Sequence, residues 1–321
     1  MKRRDLLQSL AASGLLVGWP QLGRARSFPT KNLTIVVPYA PGATDQLARA
    51  LASSMGKTLG KSVLVETRPG AGGTVGAAYV AKTAPADGHT MLFSVSAVQT
   101  IAPHQNQLPY GFDDLMPVAR VTVGPNVLAA RADAPFKDLK GLIAHAQANP
   151  EVVTFGSAGT GSTTHITGEA IARAAGIKLT HIPFQGVAPA VAAAVGGNID
   201  LVIGFAQAIE PHVQAGKLAA IAQLGPKRAR IVPGIPTLKE GGVDLQLVPN
   251  LGFWVAKGTP PEAIQAIEQA TEKASTVPEF QNLAKKMVTE IDFAGSAAFR
   301  RELEEENKFY KGLLPQLGLG R

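Results

Sequence analysis

The sequence predicts an α/β protein of two domains in series, followed by a helical tail. Three observations carry this reading. From residue 32 onward, short β-rich runs alternate with stretches whose apolar residues recur at helical spacing. The alternation occurs twice, once before about residue 100 and again from about residue 130. The chain has 321 residues, 45% of them apolar, enough buried surface for about two cores.

Residues 33–37 read as the first strand. The loop Pro38-Tyr39-Ala40-Pro41-Gly42-Ala43-Thr44-Asp45 follows. Leu47, Ala48, Leu51, Met55 and Leu59 then share one helical face, and Gly60 stops that helix. Residues 63–66 form the next strand. A glycine-rich turn leads into a helix whose Ala77, Ala78 and Ala81 share a face, and 90–93 form the third strand. This order implies a parallel sheet with helices on both faces.

In the second series, 139–148 is helical, 152–155 a strand and 163–175 a helix. Strands at 179–182, 199–203 and 218–222 alternate with helices at 189–195 and 209–215. Residues 225–242 are a Pro- and Gly-rich surface loop, and 251–256 are the last strong strand. Helices fill 261–276, 279–287 and 296–314, and this tail is expected to return to the first domain. Crossings between domains are expected at 118–130 and 246–256. The domain limits are therefore 26–124 with 252–321 for one unit and 125–251 for the other.

Composition narrows the function classes. There are no cysteines, so disulfides, thiolate metal sites and cysteine nucleophiles are excluded. The six histidines form no HxxxH or HxH pair, which speaks against a transition-metal site. Residues 1–25 read as an export signal peptide. Lys2, Arg3 and Arg4 open it, an apolar core follows, and Gly23-Arg24-Ala25 offers a cleavage point. Arg3-Arg4-Asp5-Leu6-Leu7 also fits a twin-arginine signal, and both that route and the general one stay open. Removing four basic residues and one acid with this segment takes the formal charge from +7 to +4. Basic residues are dispersed and aromatics are 6%, so no nucleic-acid footprint is present.

The segment from Val153 to His165 is the richest in chemistry. A β-branched run enters Gly156-Ser157-Ala158-Gly159-Thr160-Gly161-Ser162-Thr163, and an apolar-periodic helix leaves it. Such a turn aims backbone N–H groups and hydroxyls at one point, which suits an anion. Ser162 stands where a phosphate-binding loop needs lysine, so nucleotide hydrolysis is disfavoured. Gly70-Ala71-Gly72-Gly73 has the wrong spacing for a dinucleotide fingerprint and reads as a structural turn. Ser157, His165 and Asp200 can be drawn as a hydrolase triad, but no serine sits in a GxSxG elbow. His165 lies in a first helical turn, where positive charge is unfavourable. It reads as neutral, either a ligand donor or a loop brace. Thr44 reads as a helix N-cap or a cleft hydroxyl, and Asp45 as structural. Tyr39 and Phe205 read as cleft neighbours or core. Glu302, Glu304, Glu305 and Glu306 read as a solvated helix face.

Several of these pieces, in this order, resemble the tripartite tricarboxylate transporter solute receptors, the Bug (TctC) family of extracytoplasmic binding proteins. They include Ile35-Val36-Val37-Pro38, Glu66-Thr67-Arg68-Pro69-Gly70-Ala71-Gly72-Gly73 and Ala84-Pro85-Ala86-Asp87-Gly88-His89-Thr90. Leu108-Pro109-Tyr110, the 157–165 loop and His181-Ile182-Pro183-Phe184-Gln185-Gly186 complete the set. The resemblance implies a two-domain periplasmic-binding-protein fold of the second type, with the ligand cleft between the domains. It implies capture of a small carboxylate, whether dicarboxylate, tricarboxylate or aromatic acid, for a two-component membrane permease. A sensory partner is the alternative.

Four departures from the family pattern stand out. The first loop is one residue short. Gly204 and Phe205 occupy a stretch where amino-acid receptors carry an aspartate, which argues against amino-acid ligands. Asn250 stands where a Trp or Tyr often enters the cleft. Val95-Ser96-Ala97-Val98 replaces a hydroxyl-rich turn. The expected ligand contacts are Tyr39, Gly42, Ala43, Thr44 and Ser96 on one side. Ser157, Thr160, Gly161, Ser162, Thr163, His165 and Phe205 form the other. No catalytic residue, metal or cofactor is expected, and the chain is expected to be a periplasmic monomer. The rival is a hydrolase or transferase using the same cleft.

Overall fold

The computed structural model describes residues 28–247 and 249–321, and the expected signal peptide lies outside them. Strand β1 (Leu33–Val37) is almost wholly buried, as an inner parallel strand must be. It lies between β2 (Val63–Thr67) and β3 (Thr90–Val95), parallel to both. Helix α1 (Ala43–Leu59) turns Leu47, Leu51 and Met55 onto that sheet and ends at Gly60, whose φ of +67° is the left-handed cap that favours glycine. Helix α2 (Thr74–Lys82) buries Ala77 and Val80 on the opposite face. Two one-turn helices, α3 (Ala97–Thr100) and α4 (Ala102–Gln105), follow β3.

Three further strands extend the first sheet: β4 (Leu115–Val123), β10 (Asn250–Ala256) and β11 (Glu290–Gly295), in the order β11-β4-β10-β3-β1-β2. Strand β10 is antiparallel to both β3 and β4. The sheet is therefore mixed, correcting the expectation of a parallel one. β10 re-enters from the second unit at the end where β3 and β4 leave, so it must run the other way. Residues 118–123 are strand rather than linker. Strand β11, an edge strand of half-buried residues, has no apolar run to mark it in the sequence.

The second sheet has the order β7-β6-β8-β5-β9. Its members are β5 (Asn126–Arg131), β6 (Thr154–Ser157), β7 (Thr180–Pro183), β8 (Leu201–Phe205) and β9 (Leu218–Gln223). Strand β6 is parallel to β7 and β8, while β5 is antiparallel to β8 and β9. Helices α5 (Leu139–Ala148) and α6 (Thr163–Ala174) cover one face. Helices α7 (Val187–Val195) and α8 (Ala206–Gln214) cover the other.

The tail divides its allegiance. Helices α9 (Pro261–Ser275) and α10 (Pro278–Lys286) pack on the first sheet beside α1. Helix α11 (Ser296–Gln316) does more. Its 21 residues reach about 30 Å. Phe299 and Leu303 join the first core, while Tyr310, Leu313 and Leu314 join the core of the second sheet. It is a third connection between the two units, beside 124–125 and 224–249.

Candidate functional site

The facing ends of the two sheets bring loops from both units together. Two cavities lie between them. The outer, of about 130 Å³, is lined by Ala43 and Thr44 of α1 and by Phe205, Ala206 and Gln207 at the start of α8. The inner, of about 50 Å³, is lined by Ser96, Asn126, Thr163, Thr167 and Glu306 among others. Val95, Phe205 and Pro249 line both, so the cavities adjoin.

Backbone donors converge on this region because two helices begin there. Helix α1 has Gly42 as its N-cap, and no side chain caps it. Thr44 is therefore not the cap. Within α1 the first N–H with an acceptor belongs to Gln46, which donates to Gly42 O at 3.0 Å. Among the described residues, the N–H groups of Ala43, Thr44 and Asp45 have no protein acceptor. Helix α6 begins at Ser162, whose Oγ accepts from His165 N–H at 3.2 Å as a true N-cap. There the N–H groups of Thr160, Thr163 and Thr164 are left over in the same way. Each helix start adds its own partial positive charge.

The rest of the 157–165 loop is spent on itself. Ser157 is fully buried; its Oγ accepts from Gly159 N–H at 3.1 Å and lies 2.6 Å from His181 Nε2. Ala158 N–H donates to Thr164 Oγ1 at 2.9 Å, and Gly161 N–H donates to His165 Nδ1 at 3.0 Å. Because Nδ1 accepts, the proton of the neutral ring sits on Nε2, 3.7 Å from Glu169. The His165 ring stacks on His181 at 3.8 Å. Burial, then the neighbouring His165, pushes His181 down to about 4. Gly159 and Gly161 have φ of +117° and +77°, which lets the loop fold back so tightly. In this geometry His165 is a brace, and Ser157, Ser162 and His165 hold the loop in shape.

The drawn triad does not assemble. Ser157 meets His181, not His165, and Asp200 accepts from Arg131 Nε at 3.0 Å and from Thr154 Oγ1 at 2.8 Å. Tyr39 places its hydroxyl 2.9 Å from Ser94 Oγ, and its ring packs over Gly73, away from both cavities. Gly42, Ser157, Thr160, Gly161, Ser162 and His165 likewise line neither cavity. Ala43, Thr44, Ser96, Thr163 and Phe205 do. Gly161 still meets the facing segment, since its carbonyl accepts from Gln105 Nε2 at 2.9 Å. At Gly204 a Cβ would stand 2.6 Å from Val187, so packing accounts for the glycine there.

Glu306 escaped the sequence reading. Its Oε1 accepts from Ser96 Oγ at 3.0 Å and from Thr100 Oγ1 at 3.1 Å. The acidic run is thus not wholly a solvated face. Glu302 turns to Arg120 and Glu306 to the cavity floor, while Glu304 and Glu305 stay exposed. The signal was present: Phe299, Leu303, Tyr310 and Leu313 keep helical period, and Glu306 falls inside their stripe. Burial pushes its carboxyl up to about 7. The fold therefore holds a proton that the unfolded chain releases. This contribution is complete below about pH 4.5 and is lost as pH rises through about 7. Glu306→Gln keeps the acceptor without the charge. Its melting temperature should exceed that of the parent at pH 8 and converge with it near pH 5; a gap independent of pH contradicts this.

A larger cavity, of about 450 Å³, lies beside the segments that cross between the units, among Val123, Pro125, Gln223 and Asn250. Glu290, Asp292, Glu302 and Glu305 line it, with Arg120 paired to Asp292 and Glu302. Asn250 faces this space rather than the two smaller cavities. Among the described residues, no group of three or more His, Asp or Glu is placed to hold a metal ion, and no helix is long and apolar enough to cross a membrane.

Residues 47–319 match the family model described as the tripartite tricarboxylate transporter family receptor. The chain belongs to this family. The receptor is 32% identical over 321 residues to a UPF0065 protein of Cupriavidus necator, covering 99% of this chain and 97% of that one. Its fold matches a TctC solute-binding protein from Polaromonas with TM-score 0.83 and 31% identity, over 90% of this chain and 99% of the other. An R. palustris protein solved with adipate gives 0.73 and 26%, over 91% and 99%. MatC from Rhodopseudomonas palustris with bound malate gives 0.70 and 27%, over 89% and 100%. The receptor thus has the two-domain fold of the periplasmic solute-binding proteins.

Proposed function

We propose that this receptor works outside the cytoplasm, in the periplasm, and captures a small carboxylate unchanged for delivery to the permease of a tripartite transporter. One observation carries the reading: the starts of two helices, one from each unit, carry N–H groups without a protein acceptor and line two adjoining cavities between the sheets. An anion held by both closes that charge without a buried arginine. Ligand would then favour the closed state, because only closure brings both donor sets to it. The lobes in this reading are 26–124 with 252–321, and 125–251, with α11 shared. Relatives solved with adipate and malate support the ligand class.

A thermal-shift screen over mono-, di- and tricarboxylates, including aromatic acids and amino acids, tests this. A shift with at least one carboxylate, and recovery of that ligand intact by mass spectrometry, is the expected result. Conversion to product would establish an enzyme instead. A shift with glutamate or aspartate alone would overturn the argument drawn from Gly204.

A further inference from the structure

The inner cavity is small and floored by a carboxyl group. Glu306 of α11 lines it, and also lines the larger cavity beside it. The two oxygens of Glu306 have different surroundings. Oε1 accepts from Ser96 Oγ and Thr100 Oγ1. Oε2 has no hydrogen-bond partner among the described residues, and packing does not seal it off. In the neutral acid Oε1 is therefore the carbonyl oxygen, and the proton sits on Oε2 as a donor to the cavity.

Among the described residues, no lysine, arginine or histidine forms an ion pair with Glu306. Arg120 of β4 is taken by Asp292 and Glu302, and Glu290 of β11 by Arg230. Lys227 and the exposed Glu305 are the other charged groups on the larger cavity. Glu302 and Tyr310 flank Glu306 on its own helix. On α4, His104 turns instead to Asn307, at 2.7 Å. Helices α3 and α6 bring hydroxyls to this space, from Ser96, Thr100, Thr163 and Thr167. His165 of α6 faces Glu169. The inner cavity thus has one acid and no basic group in its wall.

The volume of about 50 Å³ admits a group of a few heavy atoms, such as a carboxylate. A group placed there meets Thr163 at the start of α6 on one side and Glu306 on the other. Two carboxyl groups in so small a space cannot both ionise, and they hold one proton between them. We propose that Glu306 is a ligand-contacting acid, which donates through Oε2 to a carboxylate bound at the start of α6, so that the receptor captures one proton with each anion. This rests on the carboxylate reading given above and names the side chain that completes that site. Affinity is then full where Glu306 already carries its proton. It falls where the proton must be drawn from solvent.

Isothermal titration calorimetry on the mature receptor tests it with benzoate, succinate, adipate and tricarballylate, at pH 8 in buffers of different ionisation enthalpy. Binding should take up close to one proton per ligand. Affinity should be roughly tenfold weaker at pH 8 than at pH 6.5, because the free carboxyl is pushed up to about 7. Glu306→Gln keeps a donor without the titration. It should bind with no proton uptake and with the same affinity at both pH values. If that variant does not fold, judged by circular dichroism, Thr100→Val decides. It removes a hydroxyl that favours the charged form, so the midpoint of the pH dependence should move upward. An unmoved midpoint overturns the assignment. Binding by the parent without proton uptake overturns proton capture and leaves the carboxylate reading standing. Uptake that persists in Glu306→Gln assigns the proton to another group and overturns it equally. No binding across the panel overturns both readings.

Discussion

Thr163→Pro should weaken carboxylate binding roughly thirtyfold, the equivalent of about 2 kcal/mol for a hydrogen bond to a charged group. Thr163 is the first residue of α6. Its N–H has no protein acceptor among the described residues, so proline removes a donor that the fold does not use. The preceding Ser162 has φ −67° and ψ 160°, the extended backbone that proline requires before it. The fold should therefore change by less than about 0.5 kcal/mol, because proline is favoured at this helix position. Thr163→Ala keeps the N–H and loses only the hydroxyl. Titration of both variants with the carboxylate that gives the largest thermal shift separates backbone from side chain. If Thr163→Pro binds as the parent does, the helix start is not the anion site.

Trp254→Ala should give the largest loss of stability, about 4 kcal/mol for an emptied aromatic site, or roughly 10 °C in melting temperature. Trp254 is wholly buried in β10 against Phe299, with ring centroids 5.2 Å apart. Its Nε1 donates to Gln99 Oε1 at 2.6 Å, and Gln99 Nε2 donates to the carbonyls of Phe112 and Leu115 at 2.6 and 2.8 Å. Gln99 sits three residues after Ser96, so this chain of bonds also anchors the segment that carries Ser96 to the cavity floor. Trp254→Phe keeps most of the apolar contact and strands the Gln99 oxygen, which should cost about 1–3 kcal/mol. Thermal melts of the two variants, with Gln99→Leu and the double variant, close the cycle. Additive losses would mean that the indole and the amide do not act together.

Much of the fold was legible in the sequence. The span of α5 was read to the residue, and that of β1 likewise, because each is bounded by strong local signals. Gly60 acts as the stop that its residue type suggests, whereas Gly42 and not Thr44 caps α1. β11 and the antiparallel course of β10 were not legible, since strand direction depends on where a distant segment returns. In the site, the glycine-and-hydroxyl composition of 156–165 pointed to free backbone donors. Which hydroxyls are free was a different matter. Ser157 and His165 are consumed by His181 and Gly161, partners set by the folding of the loop.

Alone, the sequence determined the alternation of strands and helices and the family, because each rests on short-range spacing of residue types. Only the tertiary structure decided that α11 bridges both cores and that Glu306 lies under Ser96. Ser96 and Glu306 are 210 residues apart. No local pattern encodes the meeting of two polar groups so distant; it follows from how the packed apolar faces bring the chain together.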